Sequence, residues 1–232
     1  MAPTEQRAPS RMDREQAVAL LVAAATSVLA EKGATELKVR SVAEAAGVTP
    51  IAVYHHLGGL RELITAVIDK GFHDLGDAFA AAPASEDPVA SLFSMALAAR
   101  RFAKANPHLY DMMFGLSTRG SYRPLSVADR DPANNFGNVY TSLVEASRRL
   151  LRSGRIRPDG DPESLATQLW SAVHGYIALE LSDHLARFDD PVRQVLEPMM
   201  ANITVGLGDE ARLANESHAV ALAAAEHLEP PQ

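Results

Sequence analysis

The 232-residue chain has no cysteine, which excludes disulfides, thiolate zinc sites and a cysteine nucleophile. Aromatics are scarce, at 6%, with one tryptophan. No apolar run reaches the roughly 18–20 residues of a membrane-spanning helix. The N-terminal MAPTEQRAPSRMDREQ has no apolar segment behind its arginines, so it does not read as a secretory signal. A cytoplasmic protein without membrane partners is expected. What is present is globular in kind: 47% of residues are apolar and 22% charged, too apolar for a disordered chain. The length suits one large domain or two small ones and can bury a core without crosslinks.

Charge is unevenly placed. Residues 1–70 hold 8 basic and 8 acidic side chains, and residues 71–232 hold 14 and 21, so the whole net charge of −7 lies in the second part. Two parts with different partners are implied.

Periodicity is helical throughout. Ala17, Leu20, Leu21, Ala24, Val28 and Leu29 form an apolar stripe over Arg14–Lys32. A short helix is expected over Val39–Ala46, broken by Gly47. Thr49 as N-cap with Pro50 at the first helical position opens another, which Gly58-Gly59 ends. A longer helix follows over Leu60–Ala82. Asp87-Pro88, Asn106-Pro107, Asp161-Pro162 and Asp190-Pro191 read as further helix starts. The helices they open extend to about Ala105, Gly115, Phe188 and Gly206. One more helix is expected over Ala133–Ser153 and another over Glu210–His227. Residues 116–132 read as a loop, and the chain's two ends as polar and mobile. The fold class is all-α, with about ten helices.

The stretch VRSVAEAAGVTPIAVYHHLGGLREL, Val39 to Leu63, has two short helices meeting at a glycine, the arrangement of a helix-turn-helix. Ala43 is small where the helices approach, and Val48, Ile51 and Val53 read as apolar anchors of the second. That helix is too short to stand alone. The alanines, Gly47, Val48 and Tyr54 resemble the DNA-binding segment of TetR/AcrR-type transcriptional regulators over residues 14–65. Two positions depart: Leu57 stands where that pattern has Phe, and Leu60 where it has a phosphate-binding Lys.

Carried over by position, the resemblance places Arg40 and Ser41 against phosphate or a base edge. Thr49 would cap the recognition helix and bind phosphate. Pro50, Ala52 and His55 would face the major groove of an operator DNA duplex. Tyr54 would bind phosphate, His56 would lie near the backbone, and Arg61 would substitute for the missing lysine. A groove surface of Pro, Ala and His favours thymine-methyl contacts and shape readout. His55 and His56 are adjacent on a helix and point apart, so they make a poor metal pair. No metal or cofactor is expected.

In the second part, LWSAVHG (Leu169–Gly175) is similar to a tryptophan–histidine–glycine signature of one TetR C-terminal subfamily, which implies an effector domain. Trp170 and His174 share a helix face. They are either a core Trp packed on a hydrogen-bonded His or the lining of an effector pocket with His174 as polar handle. Met95, Phe102, Met112, Met113, Phe114, Phe136 and Tyr140 are candidates for the same pocket, or simply core. Gly175, Leu179, Ser182, Val192, Leu196, Met199 and Ile203 would form a homodimer surface, as the family does. Arg148, Arg149, Arg152, Arg155 and Arg157 read either as a solvated helix end or as an acidic-effector site.

No Gly-rich phosphate loop, H-E-x-x-H or G-x-S-x-G occurs, so an enzyme is not expected. The domain reading is 1–12 arm, 13–60 helix-turn-helix, 61–206 effector and dimer domain, and 207–232 tail. The function implied is a dimeric TetR-type regulator, by family a repressor, released from a near-palindromic operator by a small molecule. The rival readings are a helical small-molecule carrier that has lost DNA binding, or a metal-assisted hydrolase.

Overall fold

The computed structural model describes residues 13–115 and 135–227. The expectations for residues 1–12, for 116–132 and for the chain's last residues lie outside them, as does the side chain of Phe136. Among the described residues there are ten α-helices and no strand. They divide into two compact units, 13–68 with 111–115, and 69–110 with 135–227. The division falls inside the helix Leu60–Ala80 rather than at its start.

The first unit contains α1 (Arg14–Lys32), a 3-10 turn (Ala34–Glu36), α2 (Val39–Ala45), α3 (Pro50–Leu57) and the first part of α4 (Leu60–Ala80). Leu21, Ala25 and Leu29 of α1, Val42 and Ala43 of α2, Val53 of α3, and Leu63 and Val67 of α4 are almost wholly buried. The α2–α3 turn is a Schellman closure. Gly47 takes φ +67°. Its N–H donates to Glu44 O at 3.1 Å and Val48 N–H to Ala43 O at 2.9 Å. Glycine bears the left-handed conformation without cost.

The second unit is built on α5 (Pro88–Ala105), which buries eleven of its 18 residues. Packed on it are α7 (Asn135–Arg152), α8 (Pro162–Leu181) and α10 (Ala211–Glu226). Between α8 and α10, α9 (Glu197–Gly206) follows directly on a π-helical turn, Val192–Leu196. The short α6 (Pro107–Phe114) straddles the division. Asp87 caps α5 by accepting from Val89 N–H at 2.9 Å, and Asp161 caps α8 by accepting from Ser164 N–H at 2.7 Å. Asn106 instead closes α5 by donating its side-chain amide to Phe102 O.

α8 stops at Leu181, well short of the expected Phe188. A second Schellman closure ends it: Asp183 N–H donates to Glu180 O and His184 N–H to Leu179 O. Asp183 carries the left-handed turn at φ +59°, the one non-glycine with positive φ among the described residues. Aspartate tolerates that region better than most side chains, and the sequence offers no glycine to mark the stop.

The arginine cluster is dispersed. Arg155 donates to both Asp209 oxygens at 2.8 and 2.7 Å and to Asp87 at 3.2 Å. Ser217 of α10 donates to the same Asp87 carboxylate. Arg148 pairs with Glu145, Arg149 donates to Ser85 O, and Arg157 donates to Gly206 O. Arg155 is therefore a structural clamp, and Arg148, Arg149 and Arg157 each go to a separate partner. Beside the clamp, His218 is 1% exposed and stacks on Phe93 with ring centroids 4.1 Å apart. Burial pushes its pKa down to about 4, while its Nδ1 has no hydrogen-bond partner.

Two outcomes follow from this core. Arg155→Ala leaves Asp209 buried and unpaired, and should cost about 3 kcal/mol of unfolding free energy in urea titration. The His218 imidazole binds its proton more weakly folded than unfolded. Stability should therefore fall as pH drops from about 6.5 towards 4, by up to about 3 kcal/mol. His218→Phe should reduce that slope to the part that His174, also lowered by burial, contributes. Asp87, whose pKa is lowered by Ser217 and by the Val89 and Ala90 N–H groups against the opposing effect of burial, acts only below that window.

Candidate nucleic-acid interface and effector cavity

On α3 the positions separate by helical period. Val53 is buried, with Ala52, His56 and Leu57 half-buried beside it. Pro50, Ile51, Tyr54 and His55 are exposed, Ile51 at 77% and Tyr54 at 58%. Residues 51, 54 and 55 share one face, as i, i+3 and i+4 positions do. Ile51 is thus no anchor of this helix: it lies on the outer face, where sequence reasoning missed it. The signal was its spacing, since an inner face at 53, 56 and 57 excludes 51.

Thr49 occupies the N-cap with extended backbone (φ −82°, ψ 152°), but its side chain makes no capping bond. Thr49 is exposed, so its hydroxyl is left facing outward. Ser41 is half-buried, and its hydroxyl donates to Glu36 O at 2.7 Å. Arg40 and Arg61 are exposed, and so is Lys38, paired only with Glu36 at the surface. His55 and His56 meet edge to face, centroids 4.7 Å apart. Among the described residues no group of three or more His, Asp or Glu is placed to hold a metal.

The Gly58-Gly59 turn sets Tyr54. Gly59 has φ +149°, and a Cβ there would lie 3.6 Å from the Tyr54 ring and 3.4 Å from a Glu62 carboxylate oxygen. The ring therefore lies against bare backbone. The face that results is a helix edge of Thr, Pro, Ile, Tyr and His with guanidinium groups at Arg40 and Arg61. It suits a polyanion with apolar groups in a groove.

In the second unit a cavity of about 20 Å³ is lined by Phe79, Leu92, Met95, Ala96, Leu143, Leu169, Trp170, Val173 and Met200. Met95 and Trp170 are the two sequence candidates on its wall. Phe102 is core of α5, Tyr140 bonds Thr167 and Glu163 across α7 and α8, and Met112, Met113 and Phe114 fall in the first unit. His174 is not on the wall. Its Nδ1 lies 2.8 Å from the Tyr110 hydroxyl and its ring stacks on Trp170 at 5.9 Å. Burial lowers the His174 pKa and raises that of Tyr110, so the pair is neutral. Trp170 in turn meets Phe79 edge to face at 6.4 Å.

A helix-turn-helix with an exposed second helix, joined through α4 to a helical unit with an apolar cavity, defines a one-component DNA-binding regulator. Residues 21–67 match the family model of bacterial regulatory proteins of the tetR family, and residues 92–203 match a tetracyclin repressor-like C-terminal domain. The chain belongs to the TetR family of helix-turn-helix transcriptional regulators. It is 27% identical to the HTH-type transcriptional regulator Rv1816 of Mycobacterium tuberculosis, covering 72% of this chain and 82% of that protein. A Rhodococcus sp. RHA1 protein of unknown function shares the fold at TM-score 0.69 and 23% identity, covering 89% of this chain and all of that one. RolR in complex with resorcinol does so at TM-score 0.61 and 20% identity, with 88% and 94% covered.

Gly59→Ala imposes a side chain on a strained φ of +149°, where its Cβ would only touch the Tyr54 ring. It should lower stability by about 1–2 kcal/mol, and thermal unfolding measures it.

Proposed function

We propose that this regulator is a repressor that grips a near-palindromic operator as a dimer and releases it when a small molecule enters the second unit. The exposed outer face of α3, Thr49, Pro50, Ile51, Tyr54 and His55 beside Arg40 and Arg61, carries the reading. Ile51 would lie against thymine methyls in the major groove, with Pro50 and His55 beside it. Tyr54 and Thr49 would donate to phosphates, and Arg40 and Arg61 would neutralise them. The bond of Ser41 to the Glu36 carbonyl would leave it a structural part. Ala52 and His56, half-buried, would reach DNA only at the rim of this face.

A twofold dimer would place two α3 helices about 34–36 Å apart, on successive major grooves. Gly175 and Leu179 of α8 and Ser182 at its C-cap support a dimer surface there, being exposed, Leu179 at 48%. A Cβ at Gly175 would meet nothing within 4 Å. A mid-helix glycine costs about 1 kcal/mol against alanine, and nothing within the protomer requires it; a closely packed second copy would. Val192, Met199 and Ile203, half-buried, would extend the surface, whereas Leu196 is wholly buried and belongs to the protomer core. The Trp170-His174-Gly175 string supports the tryptophan–histidine–glycine subfamily. The effector would act through α4, which carries Leu63 into the first unit's core and Phe79 to the cavity wall. Binding would favour the conformation with misplaced α3 helices. Among the described residues no helix is long and apolar enough to cross a membrane, which agrees with action in the cytoplasm.

Binding to the chain's own upstream DNA across a salt series tests this. Ile51→Ala should weaken specific binding by about 1–3 kcal/mol with the salt slope unchanged. Arg40→Ala should weaken it on all sequences and reduce the slope by about one. Equal behaviour of both variants and the parent would remove α3 from the interface. Gly175→Trp should sediment as a monomer with helicity intact; a persistent dimer would place the surface elsewhere.

A further inference from the structure

The cavity of the second unit restricts what can enter it. Its nine lining residues are all apolar: aromatic Phe79 and Trp170, thioethers Met95 and Met200, and five aliphatic side chains. No donor, acceptor or charge belongs to that wall except the indole N–H. The guanidinium nearest along α5, Arg100, is committed to Glu180 through three contacts of 2.6–3.1 Å. The imidazole behind Trp170, His174, is bonded to Tyr110 and held neutral by burial. Arg155 is spent on the clamp, and Arg149 and Arg157 donate to backbone carbonyls. A carboxylate or phosphate would find no cation among the lining residues, and burying an unpaired charge is prohibitive.

The cavity is also small. About 20 Å³ is room for roughly one water, so any organic ligand must part the walls. Methionine side chains on α5 and at α9 can do so, since their three rotatable bonds let them repack around irregular shapes. The edge-to-face Phe79–Trp170 contact is the aromatic part of the wall, and a ring entering beside it would gain the same geometry.

We infer that this cavity takes an uncharged, predominantly apolar ligand, bound among Phe79, Trp170, Met95 and Met200, and that it rejects anionic compounds of the same shape. The inference rests on the reading of the second unit as the effector domain and adds the chemical class of the effector. It displaces the acidic effector that the arginine-rich stretch had suggested.

Trp170 is the one tryptophan in the chain and lines the cavity, so its fluorescence reports the site directly. The full-length protein is titrated with two matched pairs, toluene against benzoate and decanol against decanoate. At least one neutral member should change the Trp170 emission saturably, with its anionic partner binding at least about tenfold more weakly. Ala96→Leu fills the cavity and should abolish the response. Met95→Ala enlarges it and should keep or strengthen the response, which guards against a variant that merely misfolds. Anionic members binding as well as the neutral ones, no saturable response from either neutral compound, or a response that survives Ala96→Leu would each overturn the inference. Operator binding is followed in the same titrations. A neutral compound that binds at Trp170 without changing operator affinity leaves the ligand class standing and removes effector-driven release. An anionic compound that releases DNA with Trp170 silent removes this cavity as the effector site.

Discussion

The guanidinium of Arg155 holds the second unit together at its most polar point. Just beyond α7, it reaches the Asp87 carboxylate that caps α5 and the Asp209 carboxylate just before α10. Ser217 of α10 joins the same carboxylate from another side. Asp209 is 1% exposed at its side chain, so its charge is tolerable only because a bidentate partner meets it. Three segments far apart in the chain are brought into register by one side chain. The start of α5, the helix on which α7, α8 and α10 pack, lies within that clamp. The clamp contributes specificity of arrangement more than net stability, since an apolar replacement of the whole group would fill the same volume without desolvating charges.

α5 shows how the unit spends its apolar surface. With eleven of 18 residues buried it is covered on most of its circumference, and its one strongly charged inner residue, Arg100, is neutralised by Glu180 of α8. The consequence for function is that polar chemistry is consumed by structure. His174 goes to Tyr110, and His218 to a neutral stack on Phe93. What remains on the cavity wall is apolar.

The first unit works under the opposite constraint. α3 is eight residues long, and a helix of that length does not persist in water by itself. It is held by Val53 in the core and by glycine turns at both ends, so that nearly everything on its outer face is free for contact. An isoleucine at 77% exposure has no use within the protomer. The same logic applies to Gly175, whose missing side chain satisfies nothing in its own unit. Each is a cost within one chain that a partner, DNA in one case and a second copy in the other, would offset.

Periodicity and punctuation in the sequence determined that the chain is helical, where most of its helices begin, and that a helix-turn-helix precedes a larger helical part. They did so because caps, proline at the first turn and glycine stops act through backbone chemistry within a few residues of themselves. The left-handed Asp183 that ends α8 escaped, since an aspartate in that conformation is chosen by local bonding and not by residue type. Only tertiary structure decided which side of a helix faces what. It turned Ile51 outward, buried Leu196, and set Arg149, Arg155 and Arg157 on separate distant partners. It also put His174 behind Trp170 instead of on the cavity wall. Each of those outcomes depends on neighbours distant in sequence, as Arg155 depends on Asp87 and Asp209, and local spacing carries no record of which charges and faces the fold will bring together.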